Sequence, residues 1–90
     1  MQPIYTSQFG KDIKKAIKRG KKIDKLKRVI NKLINGETLE QRYKDHPLIG
    51  NYQGRRECHI ESDWLLIYKQ LPEKDAIVFE RTGTHSDLFK

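Results

Sequence analysis

The residues predict a compact α+β domain of order β-α-α-β-β-β, with two N-terminal helices packed on a mainly antiparallel sheet. Three observations carry that expectation. Between Phe9 and Leu33, apolar residues recur every three or four positions. In the C-terminal third, three short runs rich in Ile, Leu, Val and aromatic residues are separated by turn residues. Gln2-Pro3-Ile4-Tyr5, ahead of the helices, has the length and composition of a first strand for the same sheet.

Thr6 or Ser7 is placed to cap the first helix by accepting an unpaired backbone N–H. Phe9, Ile13, Ala16 and Ile17 form its apolar stripe, and Arg19-Gly20 its stop. A second helix starts near Lys21 or Lys22. Its stripe is Ile23, Leu26, Val29 or Ile30, and Leu33, ending at Asn35-Gly36. Neither helix has a covered face without a sheet beneath it. Residues 55–60, 64–70 and 76–81 are the strands that supply one, joined by connections short enough for antiparallel neighbours. Residues 37–54 hold Leu39, Tyr43, Leu48 and Tyr52 among polar and turn residues, with Pro47 and Gly50 opposing a continuous helix. That stretch reads as an ordered loop. Residues 1–90 read as one domain.

Charge is divided unevenly. Residues 1–34 hold eleven Lys or Arg against Asp12 and Asp24, a net +9, while residues 35–90 hold eight basic and ten acidic residues, a net −2. A positive first third suits a polyanion such as nucleic acid or the ribosome, with an acidic protein segment or a solvated helical surface as the alternatives. Cys58 is the sole cysteine, which excludes an intramolecular disulfide and a cysteine-rich metal site. With no membrane-spanning apolar run and no secretory signal, the expectation is a cytoplasmic protein without membrane contact.

Chemistry concentrates in three segments. His46 lies in Tyr43-Lys44-Asp45-His46-Pro47-Leu48, as a loop histidine beside proline or a group that orients a phosphate or ribose. His59 and Asp63 flank a predicted hairpin turn, where an imidazole can take a proton from a 2′-hydroxyl and a carboxylate can orient it or move the proton itself. Trp64 follows, as core packing or a stacking surface. Arg81 ends the last strand. Its guanidinium fork suits two phosphate oxygens, or a salt bridge to Glu57, Glu61 or Glu80. His85, four residues on, could donate a proton to a departing oxygen, and Phe89 packs the tail against the site or anchors it. Neither metal-binding spacing nor a serine-nucleophile context occurs, so no metal or cofactor is expected.

These segments resemble the YafQ subgroup of the RelE-like bacterial type II toxins over nearly the whole chain. The resemblance is carried by the residues around His46, by Arg56-Glu57-Cys58-His59-Ile60-Glu61-Ser62-Asp63-Trp64, and by Phe79-Glu80-Arg81-Thr82-Gly83-Thr84-His85 through Phe89. It implies a RelE/ParE-like fold and a metal-independent endoribonuclease that cuts mRNA in the A site of the 70S ribosome. The reaction it implies is attack by the 2′-hydroxyl, leaving a 2′,3′-cyclic phosphate and a 5′-hydroxyl. By the same resemblance His46, His59, Asp63 and His85 form the acid–base site and Arg81 stabilises the phosphate. Trp64 and Phe89 match aromatic positions that shape the site or support mRNA contact. His85 is expected as general acid and Asp63, assisted by His59, on the base side. The resemblance also implies a cognate antitoxin, with operator DNA reached only through the antitoxin complex. The alternatives are a ParE-like gyrase inhibitor and a noncatalytic ribosome-binding inhibitor of translation.

Overall fold

The computed structural model describes residues 1–89. Strand β1 (Gln2–Tyr5) leads into α1 (Ser7–Lys18) and α2 (Ile23–Ile34). A turn then reaches β2 (His46–Pro47), followed by β3 (Arg56–Glu61), β4 (Trp64–Leu71), β5 (Ala76–Gly83) and the short α3 (His85–Leu88). The strands make one sheet in the order β1-β5-β4-β3-β2. From β2 to β5 the chain meanders antiparallel back across the sheet, and β1 closes it by pairing parallel with β5. The helical excursion between β1 and β2 is what allows the parallel pair, which a tight turn cannot join.

Local chemistry accounts for the elements. Thr6 Oγ1 accepts the Phe9 N–H at 2.9 Å and caps α1. Gly20, at φ 77°, supplies the left-handed conformation that ends the first helix. In α2, Leu26, Val29, Ile30 and Leu33 are buried, as their spacing predicts. In α1 the stripe is less complete. Ile17 is exposed, and Asp12 is buried instead.

The two helices cover one face of the sheet, where Phe9, Leu26 and Val29 meet Cys58, Trp64, Leu66, Tyr68 and Phe79. On the opposite face Leu65 and Ile67 pack under Leu88, with Leu48 and Tyr52 alongside. The run Trp64–Tyr68 is therefore apolar at every position because β4, at the centre of the sheet, is covered on both sides. The segment read as a loop includes an edge strand, since His46 and Pro47 pair with Glu57 and Arg56. No helix among the described residues is long and apolar enough to cross a membrane.

Candidate active site

Two register shifts decide which side chains share the face of the sheet away from the helices. Residues opposite one another across a ladder point to the same side. His46 is opposite Glu57, Glu57 opposite Ile67, and His59 opposite Leu65, which puts all three polar groups on the face away from the helices. Strict alternation along β5 would put Arg81 on the same side as Phe79, towards the helices. Instead Tyr68 is opposite Phe79 while Ile67 is opposite Arg81, so Glu80 is an extra residue and the sense of β5 reverses there. The bulge delivers Arg81 to the histidine face. A second shift, between His59 and Glu61, sends Glu61 the other way, towards Lys21 and Lys25.

The three histidines stand in file. Ring centres of His46 and His59 are 6.4 Å apart, and those of His59 and His85 6.0 Å. Phe89 continues the file 6.0 Å beyond His85 and meets Tyr52 edge-on at 5.3 Å. His46 Nδ1 donates to the Lys44 carbonyl at 2.6 Å, while its Nε2 lies 3.2 Å from Glu57 Oε2. The same Glu57 oxygen is 3.8 Å from His59 Nε2. Glu57 is buried, and its Oε1 has no hydrogen-bond partner among the described residues. A buried carboxylate oxygen thus sits between two imidazoles.

Asp63 pairs with a different histidine from the one expected. Its Oδ1 accepts the His85 backbone N–H at 2.9 Å and the His85 Nδ1–H at 3.0 Å. No hydrogen bond joins Asp63 to His59 among the described residues. The backbone bond first, and the ring bond second, hold the Asp63 carboxyl below its ordinary range. An ionised, already engaged carboxylate is a poor proton acceptor and a good orienting group. It leaves His85 Nε2 as the working nitrogen.

Arg81 is braced by Asp12 rather than by Glu57, Glu61 or Glu80. Its Nε and Nη2 reach the two Asp12 oxygens at 2.8 and 3.3 Å. Asp12 Oδ2 also accepts the Thr82 N–H at 3.1 Å. Beyond Tyr5, β1 no longer covers the edge of β5, and the α1 carboxylate takes the place of a neighbouring strand there. This side-chain bond from Asp12 raises the Arg81 pKa further. One flank of the guanidinium is fixed, and the group remains partly exposed.

A second brace holds α3. Asp87 closes a capping box with Thr84 and receives Lys15 Nζ of α1 at 3.1 Å and Nη1 of Arg19, which caps the end of α1, at 2.6 Å. Gly83 permits this approach, since a Cβ there would stand 2.9 Å from Asp87 Oδ2. The Arg19 bond, then the Thr84 N–H, drive the Asp87 carboxyl far below its ordinary range. A carboxyl so depressed adds stability above its unfolded value, about pH 4, and loses it as pH falls towards the folded value. Melting curves from about pH 6 down to about pH 2 are therefore expected to show the wild type losing stability through the acid window, with Asp87→Asn starting lower and losing less.

The structure corrects the reading of Trp64 as a stacking surface. It is 1% exposed, with its indole N–H bonded to Thr82 Oγ1 at 2.9 Å, so it supports the site from within the core. Phe89, at 40% exposed, does offer a face. The sequence reading passed over Glu57 and Asp12 as site residues. The signals were an acid two residues before His59 on a strand, hence on the same face, and an acid inside the apolar stripe of α1. Among the described residues no group of three or more His, Cys, Asp or Glu is arranged to hold a metal ion.

The whole chain, residues 1–90, matches the family model described as bacterial toxin of type II toxin–antitoxin system, YafQ. The chain belongs to the YafQ family. Among curated relatives, the mRNA interferase toxin YafQ of Escherichia coli K12 is 51% identical over 86 residues, covering 94% of this chain and 91% of the relative. The crystal structure of YafQ from E. coli BL21(DE3) superposes with a TM-score of 0.93 at 46% identity, covering 99% of this chain and 98% of that one. YafQ in the E. coli DinJ–YafQ complex superposes at 0.90 and 47% identity, covering 99% and 98%. The α+β architecture, with helices on one face of a mixed, mainly antiparallel sheet, is that of the YafQ toxins.

Proposed function

We propose that this YafQ-family toxin is a metal-independent endoribonuclease that cuts mRNA in the A site of the 70S ribosome and so stops translation. The observation that carries the reading is the file of three imidazoles on the sheet face away from the helices, to which the β5 bulge also brings Arg81, braced by Asp12. A noncatalytic binding surface has no use for a buried Glu57 shared by His46 and His59 and a separate Asp63 bonded to His85.

His59, beside Glu57, takes the proton of the attacking 2′-hydroxyl as the new O–P bond forms. Arg81 faces the charge that gathers on the phosphate oxygens, its fork held in place by Asp12. His85, held through Nδ1 by Asp63, gives its Nε2 proton to the departing 5′-oxygen. The bond to that oxygen breaks, leaving a 2′,3′-cyclic phosphate and a 5′-hydroxyl. His46, fixed by Lys44 and Glu57, positions the reacting group. Asp63 thus moves from the base side to the acid side of the reaction, and Glu57 takes the place beside His59. Phe89 gives an exposed ring for a base to stack on.

Much of the rate in such a scheme comes from holding the 2′-oxygen in line with the phosphate, which the ribosome supplies by presenting the strand. A cognate antitoxin restrains the toxin, as DinJ accompanies YafQ in the E. coli complex, and operator DNA is reached through that antitoxin.

The experiment is an mRNA with one 2′-deoxynucleotide on the 5′ side of the A-site cut. That message is expected to stay whole while its all-ribose control is cut. Equal cutting of both would rule out attack by the 2′-hydroxyl.

A further inference from the structure

Beyond His59 lies a basic cleft that the proposed proton transfers do not use. It has a volume of about 330 Å³ and lies between α2 and the part of β3 that β2 leaves unpaired. Lys25 and Arg28 of α2 form one wall, Arg42 and Lys44 from the turn before β2 form another, and His59 lines it as well. Lys25 is engaged with Glu61 at 2.8 Å and Arg42 with Glu40 at 3.2 Å. The side chains of Arg28 and Lys44 have neither ion pair nor hydrogen bond among the described residues. Two uncommitted cations therefore face a space that opens on a histidine of the site.

Lys44 ties the two places together. Its backbone has φ 49°, a left-handed conformation uncommon for lysine, at the end of the turn before β2. Its carbonyl fixes His46, and the same residue lines the cleft. Strain of this kind persists where surrounding structure requires it, here at the junction of cleft and site.

We infer that the cleft seats the phosphodiester next to the one that is cut, with Arg28 and Lys44 as its principal contacts. The inference rests on the RNA-cutting reading above. A strand held at His59 and His85 has to carry its neighbouring phosphates past one side of the site. The cleft offers them paired cations where the opposite end of the file offers the aromatic Phe89 and Tyr52. Positive charge on one side and rings on the other give the strand a polarity across the site.

The test uses programmed ribosomes and mRNAs with an uncharged methylphosphonate at the linkage just 5′ or just 3′ of the cut. Wild type is compared with Arg28→Gln/Lys44→Asn, the asparagine chosen because it tolerates the left-handed backbone. At one of the two linkages the uncharged group is expected to slow the wild type about tenfold. The double variant, slower by a similar factor on natural mRNA, is expected to lose nothing more at that linkage. No slowing of the wild type at either linkage overturns the assignment, and so do losses that simply add. Full cutting by the double variant with escape from its antitoxin would also overturn it, and would give the cleft to an acidic segment of that protein. Failure of the wild type to cut natural mRNA would instead remove the nuclease reading beneath it.

Discussion

His85→Ala is expected to slow mRNA cutting on the ribosome by about 10²- to 10⁴-fold, the usual contribution of a positioned general acid. The 5′-oxygen of ribose is a poor leaving group unless protonated, and His85 is held by Asp63 through one ring nitrogen with the other left to supply that proton. Its backbone N–H and Nδ1 both bond Asp63, its helix is capped by Thr84, and that cap is braced to α1 through Asp87. The side chain itself is exposed, so its removal is expected to leave the melting temperature nearly unchanged. Asp63→Asn keeps the ring and loses only its orienting charge. It is expected to cost on the order of tenfold to a hundredfold, the worth of the charge in a charge-assisted hydrogen bond. Single-turnover rates on saturating ribosomes check both. Were Asp63 itself the base, its replacement would cost as much as that of His85.

Asp12→Ala is expected to damage stability and chemistry together. Asp12 is buried at the uncovered edge of β5, where it serves Arg81 Nε, Arg81 Nη2 and the Thr82 N–H. Its removal leaves a buried N–H and a half-buried guanidinium without their acceptor, a loss of about 2–4 kcal/mol in denaturant unfolding. Asp12→Asn separates the two effects. An amide oxygen can still accept from Thr82, which restores part of the stability, but it cannot hold Arg81 by charge. Cutting by the folded Asp12→Asn protein is therefore expected to fall by about tenfold or more, the worth of one charge-assisted contact in the transition state. If the asparagine variant cuts at the wild-type rate, Arg81 does not depend on this brace.

How much of this was legible in the residues depended on whether the signal was local. The α2 stripe follows from periodicity, and its Leu26, Val29, Ile30 and Leu33 are buried. The family resemblance pointed to the histidines, which the sheet brings into one file from β2, β3 and the start of α3. The bulge at Glu80 was not legible, because period two along β5 assigns Arg81 to the helical face. Only the pairing with β4 reveals the reversal. For the same reason no local pattern disclosed that Asp12, 69 residues earlier, holds Arg81. The strand at His46–Pro47 is two residues long, below the length at which alternation carries information. Trp64 was open to two readings because an aromatic residue beginning a strand after a polar turn looks alike in a core and at a site. Its register opposite Glu61 on the helical side settles it in favour of the core.

Whether the histidine file cuts A-site mRNA is decided by mapping RNA ends on programmed 70S ribosomes with the wild type and with His85→Ala, antitoxin absent. Cuts in the A-site codon that end in a 2′,3′-cyclic phosphate and a 5′-hydroxyl, lost in the variant, are the expected result. Intact mRNA with the folded wild-type toxin bound in the A site would contradict it.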